Sequence, residues 1–74
     1  MQKIDLHGIR HEFVREKLIR KIEELWDTET ELHVITGHSD EMKAIVKEVL
    51  DEYKLEYQTG DFSGVNMGYI KTEI

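Results

Sequence analysis

Residues 42–53 constrain the fold of this chain more than any other stretch. Met42, Ile45, Val46, Val49, Leu50 and Tyr53 fall at i, i+3, i+4, i+7, i+8 and i+11, the spacing of one apolar face on an α-helix. Such a helix must lay that face on a partner. The rest of the chain supplies short segments with the period of a strand. In residues 2–7, Gln2, Ile4 and Leu6 fall on one side and Lys3, Asp5 and His7 on the other. "ELHVIT" (31–36) is short and β-branched, "LEYQ" (55–58) reads as a third strand, and "YIKTEI" (69–74) alternates again. A first helix is expected over about 9–26, where Val14, Leu18, Ile22 and Leu25 recur beside Phe13, Ile19 and Trp26. "DTET" (27–30) ends it.

The element order is therefore β-α-β-α-β-β. Right-handed βαβ crossovers place both helices on one face of the sheet. The other face stays partly wet, which accounts for strands that alternate rather than being apolar throughout. The fold class is α/β, a two-layer α+β sandwich, and residues 1–74 form one domain, with no proline-rich linker and no internal repeat. The chain has no cysteine, which excludes thiolate chemistry and points to a reducing compartment, the cytoplasm. No apolar run approaches the roughly 18 residues of a membrane span. With 10 Lys+Arg against 16 Asp+Glu the net charge is -6, which opposes a broad grip on a nucleic-acid backbone but leaves room for a local basic patch.

Ligands of open α/β sheets bind beyond the carboxyl ends of the parallel strands. Two turns arrive at that edge, "DLHGI" (5–9) and "TGHSD" (36–40), each opening a helix whose N–H groups suit a phosphate. The first helix has no Ser, Thr or Asn cap. The second has Ser39, with Asp40 and Glu41 in its first turn. Asp5 and His7, two apart on one strand face, suit an acid–base dyad, or a metal site completed by His33 or His38. The alternative is a pair of solvated polar residues, and D-x-H spacing alone favours it. His38 is either a phosphate-reaching residue or a plain loop residue. Arg10 and Lys43, with Lys3 and Lys71, are candidate cations for the same edge. His11 is expected to be exposed, because a protonated imidazole in a first helical turn opposes the dipole. The acidic face of the first helix (Glu12, Glu16, Glu23, Glu24) is a lesser candidate for docking a basic partner.

Three pieces together, "IDLHG" (4–8), "VITGHSDEMK" (34–43) and "SGVNMGYIKTEI" (63–74), resemble in order and spacing the signatures of the Smr (small MutS-related) domain family. The resemblance spans essentially the whole chain. It implies a mixed four-stranded sheet like that of the C-terminal domain of translation initiation factor three, with the last strand antiparallel to the others. It also implies binding to DNA or RNA and nicking endonuclease or ribonuclease activity. Carried over, Asp5 and His7 form the reactive pair and Gly8 the turn. Thr36, Gly37 and His38 form a second wall, and Gly64, Asn66 and Gly68 a third. Ser39 stands where the family has a second glycine, His38 where it has Lys or Arg, and Met42-Lys43 where it has Leu-Arg. A divalent metal such as magnesium is the candidate cofactor. A monomer is expected, acting on nucleic acid, with a ribosome or a larger protein delivering the substrate. The alternative function is a binding module without nuclease activity.

Overall fold

The apolar stripes of both helices converge on one side of a four-stranded sheet. The computed structural model describes residues 2–59 and 68–74. Its elements run β1 (Gln2–Asp5), α1 (His11–Glu24), β2 (Glu31–Ile35), α2 (Asp40–Glu52), β3 (Tyr57–Thr59) and β4 (Tyr69–Glu73). Val14, Leu18 and Ile22 of α1 and Val46, Val49 and Leu50 of α2 are fully buried with Leu32, Val34 and Ile70 of the sheet in one core. Burying each such side chain contributes about 1.5–3 kcal/mol relative to leaving it in water.

The strand order is β1-β2-β4-β3. β1 and β2 pair in parallel, Asp5 opposite Ile35, while β4 is antiparallel to both β2 and β3. The last strand thus fills a gap that the second crossover left between β2 and β3. It runs against its neighbours, as the family resemblance implied. On the helix-free face, Lys3, His33 and Lys71 form one row across β1, β2 and β4. His33 stacks on Tyr69 there, with ring centroids 5.4 Å apart. Among the described residues no helix is long and apolar enough to cross a membrane.

Three element boundaries differ from the sequence expectation, each for a local reason. The first strand ends at Asp5 instead of running through His7, because Gly8 at φ +81° turns the chain and Ile9 N–H closes on the Leu6 carbonyl at 3.0 Å. α1 is correspondingly shorter than 9–26. It ends at Glu24, and the Thr28 hydroxyl donates to the Leu25 carbonyl at 2.6 Å beside a left-handed Asp27. The third strand begins at Tyr57, not Leu55, because Leu55 still belongs to the end of α2. There Leu55 N–H bonds the Leu50 carbonyl (2.9 Å) and Lys54 N–H the Asp51 carbonyl (3.0 Å). Lys54 takes the left-handed position (φ +57°) usually given to glycine in this Schellman arrangement.

Candidate functional site

The carboxyl ends of β1 and β2 are neighbours in a parallel pair, so the turns that follow them are neighbours too. They enclose a shallow cleft lined by His7, Gly8, Arg10, His11, Glu12, Gly37, His38 and Ser39, with Ile9, Thr36 and Met42 at its base. Six expected site residues, Gly8, Arg10, Thr36, Gly37, His38 and the key His7, therefore meet at one place although about 30 positions separate the two groups.

Each turn is held by its own chemistry. In the first, the Asp5 carboxylate accepts the main-chain N–H of His7 at 3.0 Å. This bond fixes the direction in which the chain leaves β1. Asp5 and His7 were expected to project side by side from one strand face. Instead Asp5 ends the strand and His7 sits in the turn, and among the described residues the imidazole forms no ion pair with Asp5. In the second turn, Thr36 is buried. Its hydroxyl bridges to the carbonyls of Gly37 (2.9 Å) and Gly68 (3.1 Å). The N–H groups of Thr36 and Gly37 both donate to the Gly68 carbonyl, at 2.8 and 2.9 Å. Gly68, expected in a third wall, is thus the anchor of the second turn. Gly64 and Asn66 lie outside the described residues.

The two turns touch through His7 and Gly37. Gly37 is left-handed (φ +67°), and a Cβ on it would lie 3.1 Å from His7 Cδ2. Only a residue without a side chain lets the imidazole rest there. The helix starts above the cleft are unequal. Arg10 occupies the N-cap of α1 with no side-chain cap bond, whereas the Ser39 hydroxyl accepts Met42 N–H at 3.2 Å in α2. The start of α1 thus lacks the side-chain oxygen that the start of α2 has, although Phe13 N–H bonds the Arg10 carbonyl at 2.9 Å.

His11 is exposed, as expected, yet it is not without partners. Its Nδ1 lies 3.0 Å from Glu41 of α2 and its Nε2 3.4 Å from the Ser39 hydroxyl, so it ties the starts of the two helices together. Sequence reading missed it because only the topology brings residues 11 and 41 side by side. On the rim, Arg10 pairs loosely with Glu12 at 3.7 Å. Lys43, expected at the site, lies in the first turn of α2 but does not line the cleft. Lys3, His33 and Lys71 sit on the helix-free sheet face instead of at this edge, and Lys71 pairs with Glu31 at 3.2 Å. That pairing holds the Glu31 carboxyl below its ordinary value. Among the described residues no three histidines, cysteines or carboxylates come together to hold a metal ion, so the metal set with His33 or His38 is not assembled.

A second shallow groove lies at the opposite end of the sheet, beside Glu31, Asp51, Glu56 and Glu73. Its lining sets these four carboxylates against Lys71, whereas the first cleft has Glu12 as its carboxylate beside Arg10, so an anion is repelled less at the first cleft. No family model matches the chain, and no curated protein matches it either.

Proposed function

We propose that the chain is an Smr-like domain that seats a nucleic-acid phosphodiester between its two turns and nicks it, with His7 moving the proton. The α1 amides and His38 hold the phosphate oxygens, and Arg10 adds a cation at the rim. Water attacks phosphorus and the bond to the leaving oxygen breaks. His7 takes the proton from the water or delivers it to the leaving oxygen. Asp5 acts on the backbone: by holding the His7 N–H it fixes where the imidazole stands. The observation that carries this reading is the seat of the His7 ring on Gly37, which joins the two turns most alike to the family's signatures. A divalent ion, if the reaction takes one, would have to gain most of its ligands from the substrate and water.

A second reading, a binding module without turnover, is favoured by one specific feature. Asp5 accepts the His7 main-chain N–H, and among the described residues no ion pair joins its carboxylate to the His7 ring. One experiment separates the two. The protein is incubated with single-stranded RNA and with nicked and branched DNA, with and without magnesium, beside Asp5→Ala and His7→Ala variants. Cleavage lost in both variants supports the nuclease. Binding without cleavage supports the module, and no binding to any of these substrates removes both.

A further inference from the structure

His11 contributes to the cleft without any role in the chemistry proposed above. Its ring stands at the first position of α1, and both of its nitrogens are directed at the start of α2: Nδ1 to Glu41 and Nε2 to Ser39. Ser39 is itself the cap of α2 and the residue after the turn that seats His7. A contact there acts on the cleft through the two turns and not through a ligand.

We propose that His11 is a positioning residue that latches the start of α1 to the start of α2 and so sets the width of the cleft between His7 and Gly37. The latch has a charge-dependent half. Protonated His11 forms an ion pair with Glu41, while neutral His11 keeps both contacts as hydrogen bonds, Nδ1–H donating to Glu41 and Nε2 accepting the Ser39 hydroxyl. The charged and titratable groups around it are Arg10, Glu12 and the opposite Glu41, with His7 and His38 lining the same cleft and Asp40 beside Glu41. The inference has a consequence opposite to simple electrostatics. Removing the charge of Glu41 from the neighbourhood of a bound anion should tighten binding by ordinary Coulomb attraction. If Glu41 serves the latch, removing it loosens the cleft and weakens binding instead. This consequence rests on the nucleic-acid reading; the latch itself does not.

The test uses His11→Ala, Glu41→Gln, the double variant and Glu12→Gln, each checked by thermal melting for a folded state. Without any ligand, amide hydrogen exchange is followed at Ile9, which bonds the Leu6 carbonyl in the first turn, and at Gly37, which bonds the Gly68 carbonyl in the second. Each latch variant should speed exchange at both amides by about two- to fivefold, the range of an exposed ion pair. The double variant should be no faster than the single ones, the mark of one shared interaction. Unchanged exchange, or additive effects in the double variant, would overturn the latch. With a fluorescent single-stranded oligonucleotide, Glu41→Gln should bind more weakly than wild type while Glu12→Gln binds more tightly. Tighter binding by both overturns the latch and leaves the cleft reading standing. If exchange is coupled but wild type binds no oligonucleotide, the latch stands and the nucleic-acid reading falls.

Discussion

Gly37→Ala and Gly8→Ala should cost similar stability and differ in what they do to His7. Both glycines are left-handed, at φ +67° and +81°. An alanine in that region is strained by about 1–2 kcal/mol. In a domain of this size each kcal/mol lowers the melting temperature by roughly 4–8 °C, so both variants should melt about 4–16 °C below wild type. The surroundings then separate them. At Gly8 an added Cβ meets nothing within 4 Å, whereas at Gly37 it comes to 3.1 Å from His7 Cδ2 and 3.8 Å from Cγ. Carbon atoms rest at about 3.5–4.0 Å, so the imidazole must retreat by roughly half an ångström or swing away. His7 is exposed, so it can move at little further cost in stability. The assay is a carbon–proton correlation spectrum of the histidine rings beside thermal melts. The His7 Cδ2–Hδ2 signal should shift in Gly37→Ala and stay in Gly8→Ala. Equal shifts in both variants, or none in Gly37→Ala, would refute the seating of the ring on Gly37. A melting difference larger than a few degrees between the two would refute the common backbone origin of the cost.

Replacing Ser39 by alanine removes the α2 cap and should lower stability by about 1 kcal/mol, read from denaturant midpoints at constant m-value. Lys54→Gly relieves the left-handed Lys54 at the end of α2. After glycine's own entropy cost it should raise stability by roughly 0.5–1 kcal/mol, measured the same way. Arg15 bonds Glu52 between α1 and α2 through both guanidinium nitrogens, and this bond holds the Glu52 carboxyl below its ordinary 4.5. Because the folded value is the lower one, the contribution is complete above that ordinary value and is lost as pH falls through the depressed range. An acid melting series should therefore lose less stability in Glu52→Gln than in wild type, and high salt should narrow the gap. Arg10→Ser installs the missing α1 cap. It should melt higher than Arg10→Ala while binding oligonucleotide no better, because the new hydroxyl takes the amides a phosphate would use.

Much of the architecture was legible because its causes are local. The apolar positions of α2 needed only the helical period, and Ser39 needed only its place before Asp40 and Glu41. What the sequence hid depends on contacts between distant segments or on backbone angles that residue type does not dictate. A lysine at a Schellman position gives no sign that it will turn left-handed, so the start of β3 falls two residues later than the strand pattern implies. His7 looked like the last residue of a strand because its alternation was correct, yet the Asp5 side chain captured its N–H and ended the strand early. The convergence of Gly8, Gly37 and His7 followed from the parallel pairing of two strands that each end in a glycine turn. The His11–Glu41 contact did not, since neither residue carries a pattern that names the other.

The unequal caps explain why the cleft is oriented as it is. A helix start without a cap leaves donors exposed, and in a small domain an uncapped start costs stability that a single serine would restore. α2 has that serine, and its first turn is filled by Asp40 and Glu41, so an anion gains little there. α1 has an arginine at the same position with no side-chain cap bond, and Glu12 as the single acidic residue of its first turn. An anion entering the cleft therefore meets Arg10 and one carboxylate, Glu12, on the α1 side, and the Ser39 oxygen with two carboxylates, Asp40 and Glu41, on the α2 side. In the function proposed above, the phosphate would lie toward the first turn, within reach of His7. The second turn then serves as the wall that keeps the imidazole in place, and the Gly68 carbonyl anchors that turn through the N–H groups of Thr36 and Gly37.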